Sequence, residues 1–117
     1  MALRVLADIA LRALSPAIND PTTAVQALDE IDSLLRQILG RDLTPETVKG
    51  SDGQPRLKLR LPTWDDCVAV ALDEILAMAG SSWQVTRRVD RLLAGLIAIA
   101  PADRAEAVQA RIERTRP

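Results

Sequence analysis

Apolar residues recur every three or four positions along much of this chain, a spacing typical of amphipathic α-helices. One such seam comprises Ala24, Leu28, Ile31, Leu35 and Ile38. A second comprises Val85, Val89, Leu92, Leu96 and Ile99. Seams of this length need other helices to cover them, so the spacing predicts a mainly α-helical fold.

Prolines, glycines and polar residues divide the sequence into five predicted helices. They are expected over residues 3–14 and 21–39, from Thr63 to Gly80, from a cap at Ser81 or Ser82 to Ala100–Pro101, and over 102–115. The first is so apolar that we expect burial on most of its sides. The fifth is polar, so we expect a short surface helix. Trp64 and Trp83 fall in first turns, where each ring is expected to cover a helix start.

Two of these helices begin with recognisable capping residues. Asp20 can accept hydrogen bonds from the free N–H groups of the first turn, and Pro21 has no N–H group to leave unpaired. Thr63 and Asp66 have the spacing of a capping box, with Asp in place of the usual Glu. Both starts are therefore predicted with a physical reason.

The segment between helices two and three changes character. From Arg56 to Leu61 charged residues alternate with leucine, which indicates a half-buried strand, and residues 47–49 are a possible partner. We expect Leu57, Leu59 and Leu61 to lean on the helices. The predicted architecture is a single soluble helical domain over residues 1–117, with four long helices and a short C-terminal helix in a bundle or array. One small β-hairpin is inserted at about residues 47–61.

Missing residue types exclude several functions. The 117 residues include no His, Phe or Tyr, two Trp and one Cys. A Ser-His-Asp triad, a zinc site within one chain and an intrachain disulfide are therefore ruled out, and Cys67 is expected to fill apolar space. We predict no catalytic residues, no metal and no cofactor. The net charge of -1 argues against nucleic acid as a partner, and charged residues interrupt every apolar stretch that might span a membrane.

Charged residues fall into uneven clusters. Acidic residues are Asp29, Glu30, Asp32, Asp65, Asp66, Asp73 and Glu74, for which we favour solvated helix faces with arginine partners, such as Arg36 for Asp32, over a metal site. Basic residues concentrate after residue 83 and at Arg56, Lys58 and Arg60. A solvated surface is the preferred interpretation. The alternatives are contact with lipid headgroups or with an acidic patch of another subunit.

The loop before helix two is the candidate binding site. Ser15, Asn19 and Asp20 lie between two apolar helices, where they serve either as turn and cap residues or as a small polar pocket.

Residues 8–24, DIALRALSPAINDPTTA, closely resemble the signature of a bacterial family of predicted membrane proteins, domain of unknown function 2254. Residues 72–75 and 81–88 also look like that family. The resemblance implies a parent with several membrane-spanning helices, followed by a soluble region of which this is the C-terminal part and which we expect on the cytoplasmic side. It carries no established activity. It draws attention to residues 15–24, which adds Thr22 and Thr23 to the candidate loop.

The favoured function is a non-enzymatic soluble module of a bacterial inner-membrane protein, acting in self-association or regulation. The expected partners are further copies, bound through helix faces or the hairpin edge, and the membrane-spanning part of the parent. The alternative is a small-ligand or ion-binding domain, with or without enzymatic activity, centred on the Ser15–Pro21 loop.

Overall fold

The computed structural model describes residues 2–43, 46–49, 55–59, 62–80 and 82–115, with the backbone alone for 46–49 and 55–59. The elements in chain order are α1 (Ala2–Ala13), α2 (Pro21–Leu39), β1 (Glu46–Lys49), β2 (Pro55–Leu59), α3 (Trp64–Met78), α4 (Trp83–Ile99) and α5 (Ala102–Thr115). The protein is mainly helical, as the spacing of its apolar residues predicts.

Two of the three predicted helix caps are present. Asp20 caps α2 through the Thr23 N–H group, with Pro21 in the first turn, and Thr63 and Asp66 form the capping box of α3. The start of α4 differs, because Ser82 makes no side-chain capping hydrogen bond, and Ser81 lies outside the described residues.

The strands β1 and β2 pair antiparallel, with Val48 opposite Leu57 and an irregularity in register between Val48 and Lys49. The connection between the two strands, and the expected contacts of Leu57, Leu59 and Leu61 with the helices, lie outside the described part of the chain.

The helices pack as an array in which α1 contacts α2 and α3, α4 contacts α2 and α5, and α3 contacts α5. The helices α2 and α4 run in the same direction, since Val25 near the start of α2 borders the same groove as Trp83 at the start of α4, while Arg36 near the end of α2 lies against Gly95. The buried side chains form one apolar core, made largely of Leu, Ile, Val and Ala.

Burial corrects the prediction for the first helix. Leu3, Ala7 and Ala10 of α1 are buried, but Val5 is 57% exposed and Ile9 43% exposed. The expectation that this helix is buried on most sides is wrong, because α2 and α3 both lie against one side of it.

The buried side of α4 differs from the predicted seam at two residues. Leu93 is buried because α5 packs against that side of α4, whereas Ile99, the last residue of the helix, is exposed.

The helix α5 is not the shortest of the described helices, since it has 14 residues and α1 has 12. Val108 of α5 is fully buried.

Candidate functional site

The loop between α1 and α2 is folded by backbone hydrogen bonds. The N–H groups of Ile18 and Asn19 donate to the Ser15 carbonyl at 3.1 and 2.8 Å, and the Asp20 N–H donates to the Ala13 carbonyl at 2.7 Å. Asn19 has a φ of 45°, in the left-handed region that Asn tolerates better than most residues. The sequence prediction of an unusual turn conformation at Asn19 is therefore confirmed.

The Asp20 carboxylate is occupied by the first turn of α2. One oxygen accepts from the Thr23 N–H at 3.1 Å, and the other accepts from the Thr23 hydroxyl at 2.5 Å. The Thr23 hydroxyl, the Thr23 N–H and the Thr22 N–H all stabilise the charged form and lower the pKa of Asp20. The structure thus joins Asp20 to Thr22 and Thr23 as a helix cap. Ligand binding at this loop stays a prediction, as does a role for Ser15 and Asn19 in it.

A second polar cluster joins α2 to α4. Arg88 donates to Asp29 at 2.6 Å and to Asp32 at 2.8 Å, and Arg36 donates to the other oxygen of Asp32 at 2.8 Å. Burial lowers the pKa of Arg88, but its hydrogen bonds with the two carboxylates outweigh burial and hold the pKa above its usual value. The predicted Asp32–Arg36 pair is confirmed. Its link to Arg88 comes from tertiary packing.

A third cluster fastens α5 to α3. Arg111, only 8% exposed, donates to Asp65 at 2.7 Å and to both oxygens of Asp73 at 3.1 and 3.2 Å. Arg114 adds a bond to Asp73 at 3.0 Å. The expectation of a solvated surface is wrong for Arg111, because its guanidinium is buried in ion pairs with acidic residues of α3. One sequence signal was available, since Arg104, Val108 and Arg111 share helical spacing.

Arg104 connects three parts of the chain. Its guanidinium donates to the carbonyls of Ile38, Leu39 and Arg41 at 2.7–3.1 Å, and its own carbonyl accepts from the Trp64 indole N–H at 3.0 Å. A groove of about 520 Å³ runs beside Trp64 and Arg104, between α3 and α5. These contacts tie the end of α2 and the start of α3 to α5.

Cys67 lies one turn into α3 and is 3% exposed. Burial raises the pKa of its thiol, Asp66 raises it further, and the charge of Arg104 offsets part of this rise. Its burial confirms the prediction that Cys67 fills apolar space.

Two helix faces carry large side chains into solvent. The outer face of α1 bears Val5 and Ile9 beside Asp8 and Arg12. The first half of α4 bears Trp83, which is 70% exposed, with Arg87 and Arg91 following at intervals of four residues. The prediction that a tryptophan ring covers the start of its helix is wrong for Trp83.

Apart from Glu30, the acidic residues that sequence analysis singled out accept hydrogen bonds from arginine side chains or from a backbone N–H group. Glu74 accepts from Arg4 at 3.1 Å, and Asp66 belongs to the capping box. Across the described residues no group of three or more Cys, Asp or Glu side chains is arranged to hold a metal ion. Within the same part of the chain, no helix combines the length and apolar character needed to cross a bilayer.

The chain is matched over residues 1–95 by the model of a family described as a predicted membrane protein, domain of unknown function 2254. The match covers most of the chain, so the chain belongs to this family, as the resemblance of residues 8–24 predicts.

Similar proteins are found in mycobacteria. Uncharacterised proteins of Mycobacterium tuberculosis and Mycobacterium bovis are each 34% identical to this chain over 73 residues. The matched stretch is 62% of this chain and 14% of each relative, so the chain corresponds to a small part of the curated relatives' length. No solved structure is significantly similar to it.

Proposed function

We propose that this chain is a non-enzymatic helical module of a bacterial inner-membrane protein, and that it acts in self-association of the parent protein. The membrane setting is supported by the family description. The single observation that carries self-association is the outer face of α1, where Val5 and Ile9 lie one turn apart in solvent.

A second copy of this chain suits that face. Val5 and Ile9 offer apolar area, and Asp8 and Arg12 on the same side of the helix carry opposite charges. Two α1 helices packed antiparallel would bring Val5 of each copy beside Ile9 of the other. Within each copy, Asp8 accepts hydrogen bonds from Arg4. An interface of this type, in which the same surface serves both copies, is the usual one in symmetric dimers.

The available area sets the expected strength. A helix of 12 residues is about 18 Å long, and one face of it buries less than the roughly 800 Å² per partner of a standard interface. We therefore expect weak, reversible association of the isolated chain. Attachment to a membrane would raise the local concentration and favour pairing.

Sedimentation velocity of the 117-residue chain over a range of concentrations tests this proposal. We expect the weight-average mass to rise with concentration, and the rise to disappear in a Val5→Asp, Ile9→Asp variant. The matched control is Ala98→Asp, Ile99→Asp, which adds the same charge at two exposed positions of α4 and should associate like the unaltered chain.

Circular dichroism checks that both variants keep their helical content. A chain that stays monomeric at every concentration contradicts the proposal, and so does equal association of the two variants.

A further inference from the structure

The first half of α4 has a solvent-facing surface with an unusual combination of side chains, which we call the Trp83 face and define as Trp83, Gln84, Arg87 and Arg91. All four are exposed. In an α-helix, positions 83, 87 and 91 lie along one side and span about 12 Å. A shallow groove of about 320 Å³ lies along this face, bordered on the α2 side by Val25.

The charge of this face is positive. Arg88 is neutralised by Asp29 and Asp32, but no carboxylate among the described residues is recorded within ion-pair distance of Arg87 or Arg91. Asp90 is the one acidic side chain adjoining them on α4, and it borders a separate groove on the α5 side. The Trp83 face thus presents two exposed guanidinium groups next to an exposed indole.

Two more large apolar side chains lie near the same end of the array. Ile18, 52% exposed, belongs to the loop that leads into α2, and Met78, 45% exposed, ends α3 just before α4 begins. Val25 borders the groove beside Trp83, which places the start of α2 near the start of α4. Exposed apolar side chains therefore lie at the same end of the array as Trp83.

This combination matches the chemistry of a bilayer surface. Tryptophan prefers the headgroup level of a membrane, where its ring is partly desolvated and its N–H meets polar groups. Arginine binds phosphate oxygens through paired N–H donors, and anionic lipids attract basic residues near the surface. Beyond Trp83, the same side of α4 continues with the small Ala98, which offers little of the apolar core that a protein interface requires.

We infer that the Trp83 face binds the surface of an anionic phospholipid bilayer, with the indole of Trp83 at headgroup depth and the guanidinium groups of Arg87 and Arg91 on lipid phosphates. This inference goes beyond self-association through α1 and uses different residues. It gives the helical array a fixed orientation toward the membrane.

Co-sedimentation with vesicles tests the inference on the 117-residue chain. We expect binding to vesicles of phosphatidylcholine mixed with phosphatidylglycerol, and little binding to phosphatidylcholine alone. Tryptophan fluorescence should shift to shorter wavelength on binding, and the shift should be absent in Trp83→Ala. Replacing Arg87 and Arg91 with Glu should weaken binding by at least about 20-fold, because each basic residue near an anionic surface contributes roughly a factor of five.

The matched control is Arg41→Glu with Gln37→Glu and Gln109→Glu, which changes the net charge by the same amount at exposed positions outside the Trp83 face and outside the α1 face. It should keep most of the binding. Equal loss in both variants would mean that only net charge matters and would overturn the inference. Failure to bind anionic vesicles would also overturn the inference. This holds even if inorganic phosphate alone raises the melting temperature, or if the Trp83 face binds a protein instead.

Discussion

The starts of α3 and α4 look alike in sequence and differ in structure. Each has a hydroxyl residue followed by tryptophan, Thr63–Trp64 in one and Ser82–Trp83 in the other. Thr63 caps its helix and Ser82 makes no side-chain cap. Trp64 is 6% exposed and donates to the Arg104 carbonyl, while Trp83 stands 70% in solvent.

The neighbouring helix accounts for this difference. The beginning of α5 lies against the start of α3 through the Trp64–Arg104 hydrogen bond. Arg111, in the second half of α5, donates to Asp65 and Asp73 of α3. The start of α4 has the end of α5 on one side and leaves its outer side open. The comparison teaches that a tryptophan in a first turn becomes a core residue only when another element is available to cover it.

Replacing each tryptophan with alanine should give the largest difference in stability between the two helix starts. Trp64→Ala is expected to lower the free energy of unfolding by about 3–5 kcal/mol, because it removes a buried ring and leaves a cavity. Trp83→Ala should change it by less than about 0.5 kcal/mol, as for other exposed positions. Urea denaturation followed by circular dichroism measures both values. Similar losses in the two variants would contradict the burial described here.

Releasing α5 from α3 should expose the start of α3 and so make it resemble the start of α4. Arg111→Ala is expected to cost about 2 kcal/mol, since it removes hydrogen bonds to two carboxylates that stay partly solvated. Arg87→Ala, an exposed control, should cost almost nothing.

Acrylamide quenching of tryptophan fluorescence gives a second measurement. In a Trp83→Phe background the emission comes from Trp64 alone, and adding Arg111→Ala should make Trp64 easier to quench. Unchanged quenching together with unchanged stability would show that Arg111 does not hold α5 in place.

The caps provide a smaller contrast. Thr63→Ala should lower the free energy of unfolding by about 1 kcal/mol, because the N–H group of Asp66 loses its acceptor. Ser82→Ala should have a much smaller effect, since no capping hydrogen bond is lost. Thermal unfolding of the two variants under one set of conditions makes the comparison, and equal shifts in melting temperature would refute it.

The start of α2 adds a charged capping residue, Asp20, to the comparison, and here we expect the smallest effect on stability. The pKa of Asp20 is lower in the folded chain than its ordinary value, so the unfolded chain binds its proton more readily. The resulting stabilisation is present above an unfolded pKa of about 3.9 and is lost as the pH falls through the folded pKa. Asp20→Asn keeps a capping oxygen without the charge. Its melting temperature should fall below that of the unaltered chain at neutral pH and converge with it in acid. A difference that does not vary with pH would contradict this assignment.

Local features of the fold were predictable because their causes lie within a few residues. The capping box at Thr63, the cap at Asp20 and the turn at Asn19 each depend on nearby backbone groups, and all three are present. The inner residues of the seams, such as Leu28 and Val89, are also buried as predicted, because the spacing of apolar residues places them on one side of a helix.

Features that depend on distant neighbours were not predictable. Val5, Ile9 and Trp83 are exposed because the array leaves their sides uncovered, which periodicity within one helix cannot reveal. The pairing of Arg111 with Asp65 and Asp73 joins residues about forty positions apart. The candidate loop was identified correctly as a turn and cap, and its binding role stays a prediction.

Arg104 has a further consequence for the segment that carries β1 and β2. Its side chain holds the last carbonyls of α2 while its main chain holds Trp64, so both ends of that segment are fixed to one residue. The free energy of closing such a segment grows slowly, by about 0.6 kcal/mol for each doubling of length. The segment between Arg41 and the Thr63 cap can therefore lengthen or shorten at little cost to the helices, so a change in its length should leave the contacts of α2 with α5 and of α5 with α3 in place.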